Sequence, residues 1–167
     1  KINKKVFKRS KNYGLAKNII DGVSNILNSY NAAIILEDDL VLNYNCLEFI
    51  NNSLNIFKKD KSIGSVSWYS YAHNINGLEN IDWYKTYRHC SWSWGTWKNR
   101  WEKIDWNLSK YKSSIKKSNN FRVNIKKVGD DIPILLDGQK LKLINSWAVR
   151  FNYHCLLNNL YSLNPSY

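Results

Sequence analysis

Three observations predict an α/β domain. A helix-spaced apolar pattern ends at Asn31 and passes directly into a short apolar run, Ala33-Ile34-Ile35-Leu36. Helix, turn and strand in that order form half of an α/β repeat. The alternation then continues with a second helix-spaced stretch and another apolar run, Ile63 to Tyr69. The chain has 167 residues, 44% of them apolar, which suits one domain with its own core.

Taken in order, Lys1 to Ser10 sets Val6 and Phe7 among basic residues and reads as a short strand leading into a loop. Leu15, Ile19, Val23, Ile26, Leu27 and Tyr30 fall at helical spacing, with Asn12 placed to cap them. The run from Ala33 to Leu36 reads as a strand buried on both faces. Asn43-Tyr44-Asn45 is a turn. Leu47, Ile50, Leu54 and Phe57 define a second helix, closed by Lys58-Lys59-Asp60-Lys61, where positive charge suits a helix C-terminus. Ile63 to Tyr69 is the next strand, with Val66 and Trp68 on one face. Ala72 to Asp82 reads as a polar loop and Trp83 to His89 as a further strand.

Trp94, Trp97, Trp101 and Ile104 step by three, four and three, which predicts a helix carrying a tryptophan stripe. Leu108 to Lys127 is rich in Lys and Ser, lacks clear periodicity and is expected to be the most mobile part. Asp130-Asp131-Ile132-Pro133 marks a helix start that Leu135, Leu136 and Gln139 continue. Ser146 caps a last helix with Trp147, Phe151, Cys155 and Leu156 on one side. Asn164-Pro165 reads as an exit loop.

Composition excludes several classes. No run approaches the roughly 20 apolar residues of a membrane span. Cys46, Cys90 and Cys155 are odd in number and widely spaced, which argues against a disulfide scaffold and a Cys-based zinc site and favours a reducing compartment. No Gly-rich phosphate loop, GxSxG or HExxH occurs. His73, His89 and His154 are isolated and read as structural. The net charge of +12 invites a polyanionic partner. Pairs such as Lys58-Lys59, Lys116-Lys117 and Lys126-Lys127 are scattered rather than gathered in one stripe, which weakens nucleic acid. The abundance of Asn, Lys, Ile and Tyr also reflects AT-rich codons. A basic cytoplasmic protein, peripheral to the inner face of an anionic membrane, fits what remains.

The chemistry concentrates where the first strand stops, at Glu37-Asp38-Asp39. Three adjacent carboxylates repel one another, and a strand exit has no need of them. A hard divalent cation with a phosphate-bearing ligand would supply the missing charge. The plainer alternative is a polar turn, since Asp is a common turn residue. Asp130 and Asp131 are open to two roles, as helix cap or as a general base. Trp92 and Trp94, at a Gly-bearing helix mouth, suit stacking against the apolar face of a sugar.

At this point the residues resemble a family. Ile34-Ile35-Leu36-Glu37-Asp38-Asp39-Leu40, followed by a helix and a Ser-Val-Ser strand, is similar to the acidic metal motif of GT-A glycosyltransferases. The nearest resemblance is to bacterial polysaccharide sugar transferases similar to the N-acetylglucosaminyltransferase I group. Arg9 to Ala16 resembles the segment leading into the helix before that motif. Ser91-Trp92-Ser93-Trp94-Gly95-Thr96-Trp97, with Arg100-Trp101, resembles an SWGWATW…RW segment, and Ser146 to Phe151 resembles SWAIRW.

The resemblance implies a Rossmann-like, mixed but mostly parallel sheet flanked by helices, in one domain spanning 1–167. Only 36 residues precede Glu37, so a first βαβ segment that holds the nucleotide base is expected ahead of this sequence. The family implies Asp39 as ligand to Mn²⁺ or Mg²⁺, with Glu37 and Asp38 beside the donor. It implies Arg9 and Asn12 on the donor side, and Asp131 or Asp130 as the base that deprotonates an acceptor hydroxyl, with inversion. Trp92, Trp94 and Trp147 would shape the sugar pocket, and Arg150 would hold a phosphate or an acceptor carboxylate. The expected activity is sugar transfer from a UDP- or GDP-sugar to a glycan or lipid-linked acceptor of a surface polysaccharide. Two other classes compete: a noncatalytic carbohydrate-binding or scaffold remnant of such an enzyme, and a two-metal phosphoryl-transfer enzyme or nuclease, which normally gathers more carboxylates.

Overall fold

The computed structural model describes residues 3–70, 81–111, 113 and 124–166. The chain runs α1 (Leu15–Ser29), β1 (Ala32–Ile35), α2 (Cys46–Ile56), a 3₁₀ turn (Phe57–Lys59), β2 (Ile63–Ser67), β3 (Trp83–Thr86) and β4 (Trp94–Trp97). It continues through α3 (Lys98–Trp101), α4 (Ile132–Lys140), α5 (Trp147–Leu157) and β5 (Tyr161–Pro165). Residues 72–80 of the expected loop Ala72 to Asp82, and residues 112 and 114–123 of the Lys/Ser-rich stretch, lie outside the described residues, as does His73.

The protein is mixed α/β. Its five described strands form one sheet in the order β1-β4-β2-β5-β3. The expectation of a mostly parallel sheet is corrected here. Only β2 and β5 run parallel; β1–β4, β2–β4 and β3–β5 are antiparallel. The helices do not simply alternate with the strands as parallel crossovers require, because β3 and β4 follow one another with no helix between them.

Helices cover both faces. On one face Ala16, Val23 and Leu27 of α1 meet Trp147, Phe151 and Cys155 of α5 over Trp94, Ala33 and Ile35. On the other, Cys46, Ile50 and Leu54 of α2 pack on Ile63, Val66, Trp97 and Leu163, with Ala32 and Ile34. The two-residue period of β1 therefore divides its own side chains between the layers. A third cluster joins α4 to the far side of α5 through Ile132, Leu136, Val149 and Tyr153.

The same period explains the main error of the tryptophan stripe. Trp94 to Trp97 is a strand, and the helix is only Lys98–Trp101. A spacing of three in a strand sends the two side chains to opposite faces, and Trp94 and Trp97 do fall in different layers. Between them Gly95 lets α2 approach: an added Cβ would stand 2.9 Å from Ile50 Cγ2 and from Leu54 Cδ1. β5 replaces the expected exit loop. Its Ser162 and Asn164 are buried, which periodic apolar spacing could not reveal.

Smaller differences follow from local chemistry. Asn12 does not cap α1; its Oδ1 accepts from the Gly14 N–H at 2.7 Å, and Gly14 itself takes the cap position at φ 74°. Ser146 does cap α5, accepting from Val149 N–H at 3.3 Å.

Candidate functional site

β1 is an edge strand. One side pairs with β4, and the other has no backbone partner among the described residues. All four of its residues are half-buried, so the expected fully buried strand is instead a partly open one. Along that open edge lies a groove of about 1120 Å³. Ala32 to Leu36 form one wall, α1 residues such as Asn18, Gly22 and Ile26 form another, and Lys5, Phe7 and Arg9 of the N-terminal segment close it.

The groove reaches Leu36, and the next three residues are the carboxylates. Glu37 is half-buried, while Asp38 and Asp39 are exposed. None of the three forms an ion pair among the described residues. Burial raises the pKa of Glu37 above the usual carboxylate range, and the charges of Asp39 and Asp38 add to that. The triplet is thus a concentration of negative charge that the rest of the described chain leaves uncompensated. No cluster of three or more His, Cys, Asp or Glu side chains is arranged as a ready-made metal cage among the described residues.

Arg9 sits beside the groove. Its Nε donates to Asn18 Oδ1 at 3.2 Å and its guanidinium lies 3.7 Å from Asp21 Oδ2. Asn12 is turned into its own backbone, as above, so the structure does not bring it to the acids as a ligand.

The second expected acid pair is differently placed. Asp131 stands at the N-cap position of α4, but its side chain does not cap the helix. It is held bidentately by Arg88, at 2.5 and 3.0 Å, and Arg88 lowers its pKa. A carboxylate so held is a weak base. Asp130 is exposed and has no ion-pair partner among the described residues. Gly129 is tied to the same feature: a Cβ there would collide with the Arg88 guanidinium and the Asp131 carboxylate.

The aromatic expectations need correction. Trp94 is 0% and Trp147 3% exposed, and the two rings stack on each other at 4.9 Å. His89 meets both edge-on at 4.8 and 5.7 Å, and Phe151 completes the cluster. Neither tryptophan offers a face to a sugar. Trp92 does, being 47% exposed beside Tyr69. Arg150 is also internal in its bonding. Its guanidinium donates to Ser146 O, Trp106 O and Asn145 Oδ1, so it ties α5 to neighbouring turns rather than standing ready for a phosphate.

Sequence reasoning missed Trp83. It lies on the other edge strand, 38% exposed and edge-on to Phe57 at 5.0 Å. With Asn45, Glu48, Asn52 and Asp82 it lines a second groove of about 630 Å³. An exposed tryptophan among amides and carboxylates is the usual chemistry for sugar hydroxyls. Its only trace in the sequence was an aromatic residue opening a short strand. No protein-family model matches this sequence and no curated protein matches it, so what the chain does must be argued from its own residues.

Proposed function

We propose that this protein is a metal-dependent glycosyltransferase that moves a sugar from a nucleoside-diphosphate sugar to a glycan or lipid-linked acceptor, as a GT-A type enzyme of surface polysaccharide synthesis. The observation that carries the proposal is the uncompensated Glu37-Asp38-Asp39 triplet at the end of β1, next in the chain after Leu36, which lines the groove along that strand. Asp39, with Glu37 or Asp38, would hold Mn²⁺ or Mg²⁺ against the donor diphosphate. Such an ion neutralises the charge that develops on a nucleoside diphosphate as it leaves.

The chain's own groups divide the remaining work. The groove along β1 takes the donor, with Arg9 on its wall. Asp130 is the better candidate for the base at the acceptor hydroxyl, because Arg88 holds Asp131. Trp92 and Trp83 are exposed tryptophans available for sugar stacking. The pairing of Asp131 is what favours the competing reading, a carbohydrate-binding protein without transfer activity.

Calorimetric titration with UDP and with GDP, each with and without Mn²⁺, tests the proposal. Binding that needs the metal and disappears in Asp39→Ala is the expected result. Metal-independent binding, or binding that Asp39→Ala leaves intact, would remove the acids from the site. Glycan binding with no affinity for either nucleotide would establish the competing reading.

A further inference from the structure

The positive charge is not evenly spread once it is counted against the acids. From Asn3 to Ile20 the chain carries Lys4, Lys5, Lys8, Arg9, Lys11 and Lys17 and no Asp or Glu. Residues 3–9 form neither helix nor strand. In their middle, Val6 is 81% and Phe7 53% exposed, and Leu15 at the start of α1 is 67% exposed. Arg9 is held to α1 through Asn18 and Asp21, and Asp21 is shared with Lys17 at 3.0 Å. Lys5 lies over the Phe7 ring at 4.9 Å. Lys4, Lys5, Lys8 and Lys11 have no acidic partner among the described residues.

We propose that residues 4–11 are a docking arm for an anionic lipid bilayer. Val6 and Phe7 enter the boundary between headgroups and acyl chains, and the flanking lysines pair with the acidic headgroups. Apolar side chains set between basic pairs partition into such an interface, where aliphatic surface is rewarded. A nucleic-acid backbone offers Val6 nothing. A second copy of a chain with net charge +12 would be repelled. Because Lys5, Phe7 and Arg9 also wall the groove beside β1, docking would hold that groove at the membrane surface. The proposal stands on the arm alone and does not depend on sugar transfer.

Co-sedimentation of the full chain with phosphatidylcholine vesicles, with and without phosphatidylglycerol, tests it. Binding is expected only to the anionic vesicles and should weaken as salt rises. Combining Lys4→Gln, Lys5→Gln and Lys8→Gln should reduce partitioning about a hundredfold, at roughly fivefold per charge. Val6→Ser with Phe7→Ser should remove the binding that survives high salt. Both variants should keep the thermal transition of the wild type, since the side chains changed are exposed. Equal binding to both kinds of vesicle, binding to neither, or wild-type binding by the triple variant would overturn the proposal. So would a single-stranded oligonucleotide that binds through the same lysines while vesicles do not.

Discussion

The end of β1 and the crossing of β4 with α5 were expected to form one site, and they are opposites. Around Trp94 every large surface has a partner: Trp147 stacks on it, while His89, Phe151 and Trp101 pack against it. At Glu37-Asp38-Asp39 the charge has no partner among the described residues, and Glu37 is pushed toward protonation. The ring faces of this region satisfy one another and serve the fold, although Trp94 Nε1 and His89 Nε2 are buried without a hydrogen-bond partner among the described residues. A region that carries like charges without relief has given up stability, and a ligand that brings positive charge accounts for it.

That contrast can be broken most severely at Trp94. Trp94→Ala should lose about 3–5 kcal/mol, as for other large-to-small core changes, and chemical denaturation will show it. The void it leaves would be lined by Trp101, Trp147 and Phe151, in the strand next to the β1 edge. On the opposite face of the same strand, Gly95→Ala should cost about 1–3 kcal/mol by forcing α2 outward, read in the same experiment.

The aromatic cluster also makes a pH prediction. Burial lowers the pKa of His89 to about 3 from an ordinary 6.5. Between those values the unfolded chain binds more protons than the folded one. Stability from this group is therefore fully present above about pH 6.5 and falls by about 1.4 kcal/mol for each unit below it. His89→Phe keeps an aromatic ring in the cluster and should flatten the slope between pH 6.5 and 5 by about 2 kcal/mol. An unchanged slope would show that His89 is not buried as a neutral ring.

The smallest effects belong to the acids. Arg88→Ala should cost about 1 kcal/mol or less, because the pair with Asp131 is partly exposed, and a double-mutant cycle with Asp131→Asn would isolate it. Asp39→Ala should change stability by no more than about 0.5 kcal/mol. If it destabilises by several times that amount, the triplet is a structural feature and the contrast with Trp94 fails.

The positions of α1, α2, α4 and α5 were legible because their evidence is local; that of α3 was not, since its tryptophan spacing continued back through a strand. α2 and α5 begin within a residue of where spacing and caps placed them, since a helix satisfies its backbone within its own segment. The acids were legible for a related reason: three neighbouring carboxylates are anomalous whatever surrounds them. β5 was not legible. It lies between β2 and β3 through pairings with residues far away in the chain, and its buried Ser162 and Asn164 carry no apolar pattern.

The sequence by itself determined the α/β class, the helices α1, α2, α4 and α5 and the presence of an acidic cluster, all consequences of neighbours in the chain. Tertiary structure alone decided the direction of the strands, the open edge of β1 and which tryptophans are accessible. Trp92 and Trp94 are two residues apart and chemically identical, yet one is half-exposed and the other sealed between α1 and α5. Tertiary structure also decided that Asp131 is held by an arginine 43 residues earlier while Asp130 is not. Burial and long-range pairing depend on what folds over a residue, and that is written in distant parts of the chain rather than in its own surroundings.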